Sequence, residues 1–168
     1  MAEVCAERSY ARVSVAEVAK RAGVSSLTFY KQFSGKQDCM LAAHRQLLVR
    51  LLDEVDRIAE EERTQGARAA IRTALALFAA DTPSARLLTV EILAAGPEGA
   101  KRHDAMVQAF AGRLQPNGDP DDGSPVTASN WVRVAGVLAL VGRLVVAGEA
   151  GRLPELEDEL VAMVSSQS

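Results

Sequence analysis

Aromatic residues are scarce in this 168-residue chain: one Trp, two Tyr and four Phe, 4% of the whole. Strand sandwiches and barrels rely on alternating aromatic and β-branched residues, and no such alternation runs here. Histidine and cysteine are sparser still, at two each. No zinc-type Cys and His spacing, phosphate-cradling Gly-rich loop or nucleophile elbow is found, so neither a metal, a cofactor nor an enzymatic activity is expected. No apolar run looks long enough to cross a membrane, and no charged-then-apolar leader opens the chain. Cys5 and Cys39, without a secretion signal, point to buried free thiols in a reduced, cytoplasmic setting. No repeat of the kind that builds solenoids is visible.

What remains is an aliphatic chain. It is 48% hydrophobic, dominated by Ala, Leu and Val, which favours close-packed helices and an all-α fold. The net charge of −3 is divided unevenly. Residues 1–50 carry eight basic side chains against four acidic ones, whereas the remainder carries eleven against eighteen. A basic head on an acidic body suits a module that approaches a polyanion with one end only.

Residues 14–36 hold the densest pattern. Ser14 followed by Glu17 is a capping box, so a helix is expected from Val15. Val15, Val18, Ala19 and Ala22 make one apolar stripe at helical spacing. Gly23 is placed to end that helix, and Val24 to plug the angle that follows. Ser25 is a good N-cap for a second helix. Phe29 and Phe33 share its inner face, leaving Ser26, Leu27, Thr28, Tyr30, Lys31 and Gln32 outward or at the edges. Ser34 with Gln37 forms a further capping box and opens a third helix.

Two short helices at a tight turn are the layout of a helix-turn-helix, whose second helix enters the major groove of double-stranded DNA. On that reading Lys31 donates to guanine, Gln32 pairs with adenine and Leu27 touches a thymine methyl. Tyr30, Ser25 and Lys36 suit phosphate contacts, which set register. The spacing alone also admits a solvated helical hairpin.

Ala22-Gly-Val-Ser25, Thr28-Phe-Tyr30, Phe33 and Lys36 strongly resemble the DNA-binding domain of TetR/AcrR-family transcriptional regulators. Val15–Arg21 upstream and Cys39–Ala43 downstream fit the same pattern. The resemblance covers residues 1–45; beyond them the likeness is architectural. It implies that Ser14, Ser25, Thr28, Tyr30 and Lys36 contact DNA. Ser26 and Leu27 depart from the family, where a basic residue and a glycine are frequent, which bears on base preference rather than docking. The family's head opens with a full helix. Only Met1 to Glu7 precede Arg8-Ser-Tyr10 here, so the first helix is expected to be cut short and marginal alone.

The expected division is a three-helix helix-turn-helix head of residues 1–45 and a helical ligand-binding and dimerisation body of 46–168. A connecting helix should run to about Arg63, followed by helices over 68–80, 84–95 and 100–114, a loop over 115–125, and helices over 127–150 and 153–164. Gly136, Gly142 and Gly148 inside the longest of these suggest close packing of another helix. Glu91, set among leucines and isoleucine, is either a pocket carboxylate or a group that faces solvent or caps a neighbour.

The resemblance implies a homodimer built by the last two helices and a small-molecule effector bound within the body. Val137, Leu138, Val141, Leu144, Leu160 and Val164 are the candidate dimer residues, unless they complete the monomer's own core. Phe78, Leu88, Glu91, Ile92, Met106 and Phe110 are the candidate pocket. The function expected is a repressor released from a palindromic operator by a small apolar ligand. A helical ligand-binding or scaffold protein with an impaired head is the alternative.

Overall fold

A computed structural model describes residues 1–62, 66–114 and 126–165. Among these residues the chain is helical and has no strand. The head contains α1 (Ala2–Arg8), a 3-10 turn (Tyr10–Arg12), α2 (Val15–Arg21) and α3 (Ser26–Gln32). Helix α4 (Lys36–Glu61) leads out of it. The body contains α5 (Gly66–Ala80), α6 (Thr82–Thr89), a 3-10 segment (Glu91–Ala95), α7 (Pro97–Arg113), α8 (Ala128–Val146), a second 3-10 segment (Ala150–Leu156) and α9 (Glu157–Ser165). The expected loop over 115–125 and the stop near Arg63 lie outside the described residues.

Several boundaries differ from expectation for local reasons. The helix expected to run to Ala95 stops at Thr89, whose Oγ1 donates to the Ala85 carbonyl at 2.8 Å. Such back-bonding bends helices, and the chain continues as a tighter 3-10 segment. Helix α8 ends at Val146, with Gly148 at φ 75 shortly after, rather than at Gly151. The Ser34 and Gln37 capping box does not form. Ser34 N–H donates instead to Asp38 Oδ2 at 2.9 Å, and Gln37 Nε2 reaches the Ala95 carbonyl at 2.7 Å.

Helix α8 corrects a further expectation. By length and composition it is apolar enough to cross a membrane, with a mean hydropathy of 1.4. Its alanines and glycines mask this in the sequence. It is a core helix: Val134, Leu138, Val141 and Leu144 are buried in the body.

Two apolar clusters hold the fold, and α4 enters both. Its Cys39 and Met40 pack with Val4, Cys5, Val18 and Phe29 in the head. Its Leu51 and Val55 pack with Leu75, Phe78 and Met106 in the body. At 1.5 Å per residue the helix is about 39 Å long, so it bridges the two rigidly. The head cluster is completed by Leu87 and Ile92 from the body, both 0% exposed. Each such side chain contributes about 1.5–3 kcal/mol when fully buried, so the head is docked on the body rather than tethered to it.

Candidate nucleic-acid interface and body cavity

The helix-turn-helix is built by local caps. Ser14 Oγ accepts from Glu17 N–H at 3.3 Å, and Ser14 N–H donates to Glu17 Oε2 at 2.8 Å. Ser14 Oγ also donates to Glu17 Oε2 at 2.8 Å, and that bond, then the one from Ser14 N–H, and then Arg8 hold the Glu17 carboxyl below its ordinary range. Gly23 takes φ 68, a left-handed conformation that turns the chain between α2 and α3 without a Cβ penalty. Val24, expected to fill that angle, is 40% exposed; the turn is closed by backbone hydrogen bonds, Gly23 N–H to the Lys20 carbonyl at 3.1 Å and Val24 N–H to the Ala19 carbonyl at 3.0 Å. Ser25 Oγ accepts from Thr28 N–H at 3.0 Å and caps α3.

Phe29 is the buried anchor of α3, in contact with Tyr30 edge-on and with Phe33. Ser25, Ser26, Leu27, Thr28, Tyr30, Lys31 and Gln32 are all exposed on the other side. This presents hydroxyls, an amide, an ammonium and the apolar tip of Leu27 on one surface. Helix α1 packs mainly on α6, with Val4 and Cys5 buried. Arg21 of α2 bridges to Glu3 and Glu7 of α1, exposed pairs that orient more than they stabilise.

Lys36 stands apart from the other candidate DNA contacts. Its Nζ donates to the Tyr10 carbonyl at 2.9 Å and lies 4.4 Å from the centre of the Tyr10 ring. It is half-buried and braces the start of the head.

Glu91 is where the body meets that brace. Its side chain is 4% exposed and does not line the cavity. The break at Val90 turns it toward the head. Oε2 accepts from Tyr10 N–H at 2.6 Å, and Oε1 from Arg86 Nε at 2.9 Å. Arg86 Nη1 also reaches the Ala6 carbonyl at 3.4 Å. Tyr10 follows Ser9, a non-glycine residue at φ 61 and ψ 150. This strained backbone directs the Tyr10 N–H at the carboxylate. Nearby Cys5 is free and buried, and burial, then the Glu91 charge, pushes its thiol up to about 11. Cys39 is free and buried, and burial raises it too. Neither has the low pKa of a reactive thiol.

The body holds a cavity of about 50 Å³ among α5, α7 and α8, with Ile71, Leu75, Phe78, Phe110 and Val137 on its walls and Arg113 at its edge. A second hollow, of about 190 Å³, lies on the far side of Phe78, toward Leu47, Arg50, Asp81 and Leu88. Phe78 borders both. Of the candidate pocket residues, Phe78 and Phe110 line the first cavity and Leu88 the second. Met106 is in the surrounding core, while Glu91 and Ile92 belong to the head contact.

Leu138, Val141, Leu144, Leu160 and Val164, named as dimer candidates, are buried in the chain's own core; Val137 is half-buried on the cavity wall. Apolar residues encircle α8, so periodicity does not reveal which side the same chain covers. The side left outward is Val132, Gly136, Ala139, Arg143 and Val146, with Val132 61% and Val146 55% exposed. His44, in the middle of α4, is 1% exposed, and neither ring nitrogen has a hydrogen-bond partner. Burial, then His103 and Arg102, lowers it to about 4. Nothing in its sequence context signalled this.

The N-terminal residues 2–43 match the family described as "Bacterial regulatory proteins, tetR family". No curated protein matches the chain. Solved structures share its fold, among them three bacterial regulators. The fatty acid degradation regulator FadR of Bacillus halodurans superposes with a TM-score of 0.76 at 17% identity, covering 99% of this chain and 95% of its own. FadR of Bacillus subtilis, solved in complex with stearoyl-CoA, gives 0.73 at 20% identity over the same shares. The TetR-family regulator PfmR of Thermus thermophilus gives 0.63 at 16%, covering 99% and 96%.

Proposed function

We propose, for a chain that belongs to the TetR family of bacterial transcriptional regulators, that it represses from a palindromic operator as a homodimer and is released by a long-chain apolar effector. The family regulates transcription and is not enzymatic, and the helix-turn-helix makes the chain a DNA-binding protein. The observation that carries the finer reading is the exposed face of α3. Seven side chains between Ser25 and Gln32 are exposed there, while Phe29 is buried and Phe33 packs half-buried against the head core. Such a helix can lie in a major groove, with Gln32, Lys31 and Leu27 at base edges and Ser25, Thr28 and Tyr30 at phosphates.

One head gives too few contacts for a specific site, which favours a dimer with two α3 helices about 34 Å apart. The outward side of α8, with Val132, Gly136, Ala139 and Val146 and one charge at Arg143, is the surface best suited to a second copy. An effector in the body cavity would reach the head through α4 and the Glu91 joint. The FadR of similar fold carries stearoyl-CoA, which favours an acyl-type effector here.

Selection of bound duplexes from a random pool tests the reading. A palindrome with half-sites one helical turn apart is expected, with affinity falling steeply as salt rises. Enrichment of no sequence would overturn operator reading.

A further inference from the structure

Phe78 stands between two empty spaces. It is buried in the last turn of α5. On one side lies the inner cavity of about 50 Å³, lined by Ile71, Ala74, Leu75, Phe110 and Val137. On the other lies the outer hollow of about 190 Å³, lined by Leu47, Leu51, Ala85 and Leu88. Close-packed interiors hold few voids larger than a water molecule, so two against one buried ring depart from ordinary packing.

The hollow opens at Arg50 and Asp81, which are exposed, with Glu54 and Ser84 beside them. Arg57 holds both oxygens of Glu54, at 3.0 and 2.6 Å, and Asp81 accepts from Ser84 N–H at 3.1 Å. The mouth is left with one guanidinium against one carboxylate and no surplus of either sign. An uncharged head such as a hydroxyl finds hydrogen-bonding partners there. Deeper in, Arg113 at the edge of the inner cavity is held by Asp56, at 2.6 Å to each carboxylate oxygen, and by the Ala109 carbonyl at 2.8 Å. A tail entering that cavity meets apolar walls, which suit a saturated chain.

A helix leaves an aromatic side chain two χ1 wells, and a ring packed on every side cannot exchange them. Phe78 has space on both sides. We propose that Phe78 is a gate that selects effectors by chain length: the outer hollow takes the first part of a straight, uncharged amphiphile, and the ring swings aside only for a chain long enough to reach past it. This rests on the apolar-effector reading above and names the residue that discriminates among such effectors. With the ring in place the two spaces are separate. With the ring displaced they join into one slot that runs back along α5 from Asp81 toward Ala70.

Equilibrium binding of 1-alkanols from butanol to dodecanol to the whole chain tests this. In the unmodified chain affinity should rise about fourfold per buried methylene, stall at the length that meets the ring, and resume beyond it. Phe78→Leu removes the ring and should abolish the stall. Ala74→Leu fills the inner cavity and should abolish the resumption. Val137→Phe fills the same cavity from α8 and serves in its place if Ala74→Leu does not fold, as melting curves will show.

A smooth series in the unmodified chain, a stall that survives Phe78→Leu, or a resumption that survives filling of the inner cavity overturns the gate, while binding of any alkanol leaves the apolar-effector reading standing. Tighter binding of decanoate than of decanol overturns the uncharged head. Failure of every alkanol to bind the unmodified chain overturns both the gate and the effector reading.

Discussion

The Glu91 carboxylate accepts a 2.6 Å hydrogen bond from the backbone N–H of Tyr10, 81 residues away in sequence. Both groups are buried, and Arg86 holds the other carboxylate oxygen. One side chain of the body thus fixes the first turn of the head. Tyr10 in turn receives Lys36, the first residue of the connecting helix, so the contact is part of a closed loop of interactions.

Glu91→Leu leaves the Tyr10 N–H and a mostly buried guanidinium without their acceptor. It should lower the unfolding free energy by about 3 kcal/mol. Glu91→Gln keeps an oxygen for Tyr10 and should cost clearly less. Ser9→Gly relieves the positive φ before Tyr10 and should stabilise by about 1 kcal/mol. Urea unfolding of the three variants checks the ordering, and an equal cost for Leu and Gln would exclude the hydrogen bond as the source.

Lys31 and Lys36 should separate in binding experiments. Lys31 is exposed on α3, so Lys31→Ala should leave the melting temperature unchanged while reducing the log K against log salt slope by about one. Lys36 braces Tyr10, so Lys36→Ala should also lower the melting temperature. Melting and operator titrations at several salt concentrations measure both.

His44 makes the fold acid-sensitive. Burial, and then His103 and Arg102, hold it at about 4 against an ordinary 6.5. Above the ordinary value both folded and unfolded states are neutral and nothing is lost. As pH falls below it, the unfolded chain takes a proton that the folded chain refuses. Stability therefore declines down to about pH 4, by about 3 kcal/mol in all, and then levels off for this group. His103, also lowered by burial, acts in the same direction. His44→Leu should remove most of this loss and raise stability at neutral pH, because two unpartnered ring nitrogens disappear. Denaturation curves across the acid range would show an unchanged decline if His44 were not responsible.

Two glycines should answer alanine oppositely. A Cβ on Gly99 would stand 2.0 Å from the Ile92 carbonyl oxygen, a backbone atom with no room to yield. Gly99→Ala should cost about 2–3 kcal/mol. A Cβ on Gly136 meets nothing within 4 Å, so Gly136→Ala should stabilise the single chain by roughly 0.5–1 kcal/mol. Thermal unfolding of the pair gives both signs directly.

The outward side of α8 can be tested without DNA. Val132→Asp and Val146→Asp place charges where the chain itself buries nothing, so each fold should survive. Sedimentation should show a shift from dimer to monomer in both. An unchanged dimer would put the second copy elsewhere.

Much of the head was legible because its determinants are local. Ser14 with Glu17, Gly23, Ser25 and Phe29 each act within one helical turn, and the structure uses them in those roles. The helical content of the body was equally readable from its apolar spacing. The misplaced features depend on distant partners. Glu91 suited a pocket by composition but was turned to the head by a break that Thr89 helps to make. Arg113 carried no signal at all, since its meaning lies in Asp56, 57 residues earlier.

The sequence by itself determined an all-helical chain with a helix-turn-helix head, because caps, turns and periodicity are short-range properties of neighbouring residues. Only the tertiary structure decided which side of α8 faces the core, where Glu91 and Lys36 are engaged, and that Arg113 pairs with Asp56 of α4. Those outcomes depend on burial and on pairing across helices, and an aliphatic pattern that encircles a helix is compatible with several packings until its neighbours choose one.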